Sequence, residues 1–256
     1  MKPHHHPKKY LGQNFLIDRR IQQKIIGHCD LKPDDIVVEI GPGQGEITRL
    51  IAPKVKRLIC VETDKDLIVP LREEFQGFNV DIAHADFLKW DFKENHKIIG
   101  NIPYYITTPI VEKLIEHRQR VTFAYLTVQL EFGQRLAAQA GGKDYGALSC
   151  FAQYYADTRV LFKIKNTSFR PIPKVDSCFV RMDFTCPARY HPKDERTLFR
   201  LIRAAFTQRR KTIVNAVAPL YPKNRLLPVL EDLKILPKSR PEELSIQNFV
   251  DICNGL

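Results

Sequence analysis

Long apolar runs are missing from this sequence. No stretch of about 18 apolar residues occurs, and a transmembrane helix needs that length. Residues 1–10 also lack the apolar segment of a secretory signal. We therefore expect a cytoplasmic protein that makes no contact with a membrane.

Paired cysteines are missing as well. The 6 cysteines of the 256-residue chain are scattered, and neither a CxxC pair nor metal-ligand spacing occurs. This usage is typical of reduced thiols in a cytosolic protein. The histidines at 4–6 are expected to be solvated on a polar arm, and no heptad pattern indicates an oligomer. The sequence therefore predicts a monomer without a metal ion.

Acidic residues are fewer than basic ones, with 29 Asp+Glu against 40 Lys+Arg and a formal net charge of +11. An excess of this sign is typical of proteins with an anionic partner, most often nucleic acid. The excess is concentrated near both ends of the chain, in residues 1–24 and in residues 185–256. Composition therefore favours a nucleic-acid partner, although a solvated basic surface would give the same count.

Strand-like and helix-like patterns alternate over the first part of the chain. Short apolar runs at 36–40, 57–61, 80–85, 97–100 and 121–128 indicate strands, and helical spacing occurs at 19–29, 46–53, 65–75, 108–118 and from 129 to about 140. Asp18 stands where the first helix needs an N-cap. Such alternation predicts an α/β fold with a mostly parallel, Rossmann-like sheet and helices on both faces.

The pattern changes toward the C-terminus. Residues 159–165 and 178–184 have no helix between them and predict an antiparallel hairpin pair at the end of the sheet. Beyond the prolines at 187 and 192, only helical patterns remain, over 194–217, 223–233 and 241–253. We therefore predict two domains, an α/β domain over 1–186 and a small helical domain over 187–256.

A glycine-rich loop, EIGPGQG at 39–45, follows the predicted strand at 36–40. Its glycines, Gly41, Gly43 and Gly45, allow a tight turn and a close approach of the backbone to a ligand. The loop is neither GxGxxG nor a phosphate-binding GK[ST] loop, because Glu46 follows it. A carboxylate at a helix start disfavours a bound phosphate. We therefore expect a ligand without a pyrophosphate.

Acidic residues end the next two predicted strands. Glu62 comes 21 residues after Gly41, the position of a carboxylate that binds both ribose hydroxyls. Asp86 ends the following strand, where its carboxylate could accept a hydrogen bond from an adenine amino group. Either residue alone would pass for an ordinary strand-end polar residue. Together with the glycine loop, they predict an adenosine ligand without phosphates, such as S-adenosylmethionine.

The strand at 97–100 leads into Asn101, Ile102, Pro103 and Tyr104. An adenine amino nitrogen is a poor nucleophile, because its lone pair is delocalised into the ring. Acceptors on both N–H groups, here the Asn101 side-chain oxygen and the Ile102 carbonyl, would favour a tetrahedral nitrogen with a localised lone pair. Pro103 stiffens the turn, and Tyr104 offers a ring on which an extruded base stacks, which contributes about 1–3 kcal/mol. The motif suits in-line methyl transfer, although a strand-end turn with a packed tyrosine has the same residues.

Six segments together resemble the ribosomal RNA adenine N6,N6-dimethyltransferase family, of the bacterial KsgA type. They are GQNFL (12–16) with Asp18, EIGPGQG (39–45), NIPY (101–104), FRPIPKVDS (169–177), AFTQRRKT (205–212) and RPEELS (240–245). These matches run nearly from end to end of the chain. Ile102 stands where the family more often has Leu, and only the backbone carbonyl of that residue is used.

The resemblance implies a fold, a cofactor and a set of site residues. The fold is a class I methyltransferase sheet with a C-terminal helical domain that binds rRNA. S-adenosylmethionine would be bound by Asn14, Leu16, Gly41, Glu62, Asp86 and Asn101, to which the loop analysis adds Gly43 and Gly45, with residues 12–16 as a lid over its methionine end. The catalytic set would be Asn101, Ile102, Pro103, Tyr104 and Phe169, where Phe169 meets the target base from the face opposite Tyr104.

The implied reaction is dimethylation of the N6 amino groups of two adjacent adenines in the 3′-terminal hairpin loop of small-subunit (16S) rRNA, during subunit assembly. The expected partner is the small ribosomal subunit with its rRNA. Two alternatives stay open: a large-subunit (23S) rRNA adenine N6-methyltransferase that confers macrolide resistance, and a non-catalytic RNA-binding assembly factor. The segments at 174–177, 205–212 and 240–245 favour the small-subunit type, and the retained Asn101 favours an enzyme.

Basic side chains predict where RNA is held. The spacing of Arg196, Arg200, Arg203 and Arg210 keeps them on one face of the predicted helix 194–217. Arg209 and Lys211 extend this group, and Lys8 and Lys9 belong to the N-terminal basic cluster. A solvated helix face would have the same pattern. Beside a base-modifying site, we expect these residues to contact the RNA backbone without reading its sequence.

Overall fold

The computed structural model describes residues 7–8, 11–208 and 210–256. The histidines at 4–6, Lys9 and Arg209 lie outside the described residues. The chain divides into two compact units, Met1–Gly133 with Asp157–Thr185, and Gln134–Ala156 with Cys186–Leu256. The second unit thus includes the segment Gln134–Ala156, which the boundary predicted near residue 186 assigns to the α/β domain.

The first unit is built on a mixed β-sheet. Among the described residues its strands are β1 (Phe15–Leu16), β2 (Ile36–Ile40), β3 (Arg57–Glu62), β4 (Val80–His84), β5 (His96–Asn101), β6 (Val121–Gln129), β7 (Asp157–Ile164), β8 (Phe169–Arg170) and β9 (Ser177–Asp183). The large sheet has the order β4-β3-β2-β5-β6-β9-β7. Neighbours from β4 to β6 pair in parallel, whereas β9 pairs antiparallel with both β6 and β7. This confirms the predicted α/β fold and the antiparallel pair at its end.

Helices follow most strands of this unit. They are α1 (Arg19–His28), α2 (Thr48–Ile51), α3 (Lys65–Glu74), α4 (Thr107–Glu116) and α5 (Leu130–Ala137), the last of which ends in the second unit. Asp18 caps α1 as predicted, since its side chain accepts from the backbone amides of Arg20 and Ile21. The helix predicted over 46–53 is shorter than expected. Pro53 lacks the N–H that would continue it, and the chain passes into a 3-10 turn at Ala52–Lys54.

The strand order gathers four strand ends around one crevice. Strands β3 and β4 lie on one side of β2, and β5 and β6 lie on the other. In open parallel sheets, ligands bind at the carboxyl ends of the strands beside such a reversal. The predicted site residues Gly41, Glu62, Asp86 and Asn101 end or follow β2, β3, β4 and β5. The topology therefore brings together residues that lie far apart in the chain.

A second, two-stranded ladder joins distant parts of the first unit. Strand β1 pairs antiparallel with β8, so that Leu16 lies opposite Phe169 and Phe15 lies opposite Arg170. The backbone N–H of Ile17 also donates to the carbonyl of Ser168 at 2.9 Å. This ladder fixes the segment that the resemblance identifies as a lid, and no sequence pattern of useful length predicted it.

The described part of the second unit is helical: α6 (Ala147–Tyr155), α7 (Glu195–Thr207), α8 (Ile213–Val217), α9 (Lys223–Asp232) and α10 (Ile246–Gly255). Leu198, Leu201 and Phe249 are fully buried in its apolar core. The single helix predicted over 194–217 is wrong. Helix α7 ends at Thr207, and a separate helix, α8, begins at Ile213. The Thr212 side chain caps α8 by accepting from the backbone amide of Asn215. In the described residues of the whole chain, no helix is long and apolar enough to cross a membrane.

Candidate active site

A cavity of about 350 Å³ lies where β2, β3 and β5 end. The predicted site residues that line it are Asn14, Leu16, Gly41, Gly43, Glu62, Asp86, Asn101, Ile102, Pro103 and Tyr104. Gly45 and Phe169 are not among the lining residues. Cavities that bind small molecules typically measure about 300–1,000 Å³. The structure therefore brings most of the predicted set together in a space of suitable size.

The glycine loop adopts a backbone conformation that favours glycine. The angle φ is +62° at Gly41 and +60° at Gly43. A Cβ atom at Gly43 would also lie 2.9 Å from the ring of Phe15. The backbone can therefore line the cavity directly. At Gly45, in contrast, a Cβ would meet Phe75 of the packing cluster around α3, so this glycine allows the loop to pack and does not face the cavity.

The two acids predicted to bind a nucleoside have different surroundings. Glu62 is only 6% exposed, and its carboxylate accepts the backbone N–H of Gly43 at 3.3 Å and of Asp64 at 2.8 Å. Burial raises the pKa of Glu62, and these hydrogen bonds oppose that rise. Asp86 is exposed and accepts the amide of Leu88 at 2.9 Å. Glu62 is therefore a buried hydrogen-bond acceptor of the cavity that is held in place, whereas Asp86 is a solvent-exposed acceptor.

A third acid, Glu39, lines the same cavity and is 3% exposed. The hydroxyl of Thr48 donates to its carboxyl group at 2.7 Å, and the thiol of Cys60 donates at 3.5 Å. Burial raises the pKa of Glu39 to about 7, against the opposing hydrogen bond from Thr48. Glu46 also lines the cavity, and no described lysine or arginine does. Such a lining favours a ligand that carries positive charge and lacks phosphates.

Asn101 is held in one orientation at the end of β5. Its side-chain amide donates to the carbonyl of Asn14 at 2.8 Å. A carbonyl can only accept, so the amide nitrogen must face Asn14, and no described residue donates to the amide oxygen of Asn101. The next residue, Ile102, uses its N–H to bond the carbonyl of Thr127 at 3.0 Å. The turn therefore presents a fixed side-chain oxygen to the cavity.

The ring of Tyr104 is anchored through its hydroxyl group. The hydroxyl of Tyr104 shares a hydrogen bond of 2.8 Å with the hydroxyl of Ser177, which is fully buried at the start of β9. Burial raises the pKa of Tyr104, so its hydroxyl stays protonated at neutral pH. Tyr105 also lines the cavity, but it is 62% exposed. The half-buried, anchored ring of Tyr104 is the better-defined surface.

The comparison with known families identifies the chain. A family model described as "Ribosomal RNA adenine dimethylase" matches residues 4–256. The chain belongs to this family. A Moorella thermoacetica protein named "Ribosomal RNA small subunit methyltransferase A" is 40% identical over 268 residues, which cover 98% of this chain and 92% of the relative. A Fusobacterium nucleatum protein of the same name is 40% identical over 255 residues, or 96% of each chain.

Solved structures agree with the membership of the rRNA adenine dimethylase family. The 23S rRNA methyltransferase ErmE superposes with a TM-score of 0.80 at 26% identity, over 95% of this chain and 99% of that one. A dimethyladenosine transferase from Plasmodium falciparum superposes with a TM-score of 0.81 at 27% identity, over 93% of this chain and 95% of that one. The methyltransferase fold expected from the resemblance is thus confirmed.

Phe169 is buried and does not line the cavity. The ring is 1% exposed and belongs to the same buried cluster as Leu16 and Ile25. The register of β8 against β1 explains this, because it pairs Phe169 with Leu16, a residue that is itself buried. In this structure the ring thus packs in the core and does not line the cavity beside Tyr104, and its role at the target base stays a prediction.

The basic residues predicted to contact RNA fall into two groups, those that are exposed and one that is held in ion pairs. Arg196, Arg200 and Arg203 are exposed on α7, whereas Arg210 and Lys211 are exposed in the turn beyond its end and do not share its face. Lys8 is not free for a phosphate, because its ammonium contacts Asp64 at 2.5 Å and Asp66 at 2.7 Å. These ion pairs raise the pKa of Lys8. Among the predicted residues that the structure describes, Arg196, Arg200 and Arg203 on α7 and Arg210 and Lys211 in the following turn have the exposure that the prediction requires.

Some residues of the site were missed in the sequence analysis. Glu39 and Ser177 stand inside two of the recognised motifs, and neither received a role. Glu39 carries a usable signal, because a charged residue interrupts the otherwise apolar strand IVVEI. Ser177 shows nothing comparable, since its partner Tyr104 lies 73 residues away.

Proposed function

We propose that this family member uses S-adenosylmethionine to dimethylate the N6 amino groups of two adjacent adenines in the 3′-terminal hairpin loop of small-subunit (16S) rRNA. The observation that carries this proposal is the oriented amide of Asn101. Its nitrogen is committed to the carbonyl of Asn14, so its oxygen is available for a substrate N–H. An acceptor held at the end of β5, beside an acidic cavity, suits an amino group as the methyl acceptor.

The cavity lining fits S-adenosylmethionine. Its sulfonium and ammonium charges suit a lining in which Glu39, Glu46 and Glu62 are the buried or half-buried charged groups. Glu62 has acceptor oxygens for ribose hydroxyls, and Asp86 has them for the adenine amino group. Asn14, Leu16, Gly41, Gly43 and Asn101 complete the proposed cofactor set. When bound, S-adenosylmethionine supplies an electrophilic methyl group.

The residues of the NIPY turn act on the acceptor nitrogen. In the first transfer the Asn101 side-chain oxygen and the Ile102 carbonyl accept hydrogen bonds from the two N–H groups of the adenine amino group, which favours a localised lone pair. In the second transfer one of them accepts from the single remaining N–H, and the proton that the nitrogen loses in each transfer passes to water. Pro103 fixes the turn, and Tyr104 stacks on the extruded base, with its ring oriented by Ser177. Positioning of the nitrogen in line with the methyl group is then the main catalytic contribution. The transfer involves no metal ion in this proposal.

The small subunit is the favoured substrate over the large one. Relatives that are 40% identical over nearly the whole chain are named small subunit methyltransferases. The 23S rRNA methyltransferase among the solved structures is 26% identical. The protein would act on the small subunit during its assembly in the cytoplasm, as a monomer, with Arg196, Arg200, Arg203, Arg210 and Lys211 on the RNA backbone.

Methyl transfer to whole ribosomal subunits tests this function. Labelled S-adenosylmethionine is incubated with unmethylated small subunits, with large subunits and naked rRNA in parallel. We expect about four methyl groups per small subunit, two on each of two adjacent adenines. Incorporation into large-subunit RNA alone would favour the resistance-type enzyme.

Asn101→Ala distinguishes the enzyme from a non-catalytic assembly factor. The variant loses the acceptor oxygen and the hydrogen bond to Asn14. We expect methylation to fall by at least a hundredfold while binding to the small subunit is retained, since removal of one preorganised polar group from a site costs about 10²–10³ in rate. A native protein that binds subunits tightly and transfers no methyl group would refute catalysis.

A further inference from the structure

A buried carboxylate ties the N-terminal segment, residues 11–16, to the loop after β3. The side chain of Asp64 has no exposed surface. It accepts hydrogen bonds from the Lys8 ammonium at 2.5 Å and from the Gln13 side-chain amide at 2.8 Å. The side-chain oxygen of Gln13 in turn accepts the backbone N–H of Lys8 at 2.8 Å. The three residues therefore close a ring of hydrogen bonds.

This ring is continuous with the cavity on both sides. The backbone N–H of Asp64 donates to Glu62, the buried acid of the cavity, at 2.8 Å. On the other side, Gln13 is followed by Asn14, whose carbonyl accepts from Asn101 at 2.8 Å. The N-terminal segment lines the cavity along its whole length. Its placement therefore depends on Asp64 and Asn101 in addition to the ladder between β1 and β8.

Charge makes the attachment at Asp64 strong. Burial of a carboxylate without a partner is costly, and a charged hydrogen-bond donor offsets that cost. Burial raises the pKa of Asp64, but the hydrogen bonds from Lys8 and Gln13 outweigh it, and the net pKa lies below the usual value. The carboxylate also caps α3 through the amide of Asp66 at 3.1 Å. Capping alone would need neither Lys8 nor Gln13.

We propose that Lys8, Gln13 and Asp64 are positioning residues for the cofactor, which hold the N-terminal segment so that Asn14 and Leu16 reach the bound molecule. This inference rests on the proposed function, because it takes S-adenosylmethionine as the ligand. It reassigns Lys8 from the RNA backbone to the cofactor site. We call the three residues the latch.

Two single substitutions test the latch, one at the buried carboxylate and one at the ammonium group that pairs with it. Asp64→Asn removes the charge and keeps the cap of α3, because asparagine caps helices as well as aspartate does. Lys8→Met removes the other charge and retains an apolar stem. Lys65→Met is the matched control, since Lys65 is exposed and forms no ion pair with a described residue.

The measurements separate cofactor binding from catalysis. They are the dissociation constants of S-adenosylmethionine and S-adenosylhomocysteine without RNA, the KM and kcat with small subunits, and amide hydrogen exchange of the N-terminal segment. We expect both latch variants to bind the cofactor about tenfold more weakly. Exchange in the segment accelerates, and kcat at saturating cofactor stays within about twofold of the native value. The double variant binds the cofactor no more weakly than the single variant with the lower affinity.

Three outcomes would overturn the proposal or its basis. If Lys8→Met raises the KM for small subunits and leaves cofactor affinity unchanged, Lys8 is an RNA contact and not part of a latch. Native affinity and native exchange in Asp64→Asn overturn the role of the carboxylate. A native protein that binds no S-adenosylmethionine refutes the proposed function and the cofactor role of the latch, and the exchange data then still show whether the latch holds the segment.

Discussion

Replacing Glu39 with glutamine removes a buried carboxyl group whose ionisation destabilises the folded protein increasingly as the pH rises. In the folded protein, burial raises the pKa of this carboxyl group from its usual 4.5 to about 7. As the pH rises, the unfolded chain therefore releases this proton first, and the folded state loses stability until the pH passes the folded pKa. One pKa unit corresponds to about 1.4 kcal/mol, so native Glu39 destabilises the fold by about 3 kcal/mol at pH 8 and by less than about 1 kcal/mol at pH 5.

Glutamine reproduces the protonated form of this side chain. It has an oxygen that accepts from the Thr48 hydroxyl and it carries no charge. We therefore expect the stability of Glu39→Gln relative to the native protein to increase by about 2–3 kcal/mol between pH 5 and pH 8. The direction of this change in stability is unusual, because the loss of a charged residue from the site stabilises the folded protein as the pH rises.

The assay is urea unfolding at a series of pH values, without cofactor. Trp90 is the one tryptophan of the chain and lies in the first unit, so its fluorescence reports the unfolding of the unit that contains Glu39. Glu73→Gln is the control, since Glu73 is exposed on α3 and its loss removes the same charge. A stability difference for Glu39→Gln that stays constant or shrinks as the pH rises would refute the argument.

Three further predictions concern the site and the RNA surface. Ser177→Ala and Tyr104→Phe each lower kcat by about three- to tenfold, which corresponds to the loss of one hydrogen bond. The kcat of the double variant is no lower than that of the slower single variant. Additive losses would show that this hydrogen bond does not orient the ring. Gly43→Ala weakens S-adenosylmethionine binding at least about tenfold in calorimetry, because the added carbon strains the backbone and meets an aromatic ring at 2.9 Å. Gly77→Ala, where φ is +83° and no atom lies within 4 Å, is its control, and equal affinities would contradict the steric argument. Arg200→Gln reduces the slope of log binding constant against log salt by about one for small-subunit RNA, and an unchanged slope would exclude a phosphate contact.

The cavity lining could be predicted from sequence where it depends on strand ends. Each of Gly41, Glu62, Asp86 and Asn101 follows an apolar run that is long enough to be recognised as a strand. Parallel strands bring their carboxyl ends to one edge, so position in the chain translates directly into position in the site. The fold class and these four residues therefore needed no knowledge of tertiary contacts.

Residues whose role depends on a distant partner could not be placed in this way. Phe169 is buried because β8 pairs with β1, and strands of two residues leave no periodic pattern. Lys8 looked like one more basic residue of the N-terminal cluster until the structure placed it against Asp64, 56 positions later. Arg210 has helical spacing in the sequence, but α7 ends at Thr207 and the next helix begins only after the cap at Thr212. In each case a tertiary or capping contact overrides the local pattern.

The ladder between β1 and β8 affects the order in which the protein can assemble. Leu16 is synthesised well before Phe169, so it finds its pairing partner only when the chain has been extended as far as β8. A nascent chain that ends near residue 130 already contains β2 to β6, and with them the glycine loop and Asn101. It lacks β8 and also Ser177, the anchor of Tyr104. A complete binding pocket therefore forms only after synthesis has passed Ser177, well after the glycine loop and Asn101 have been made.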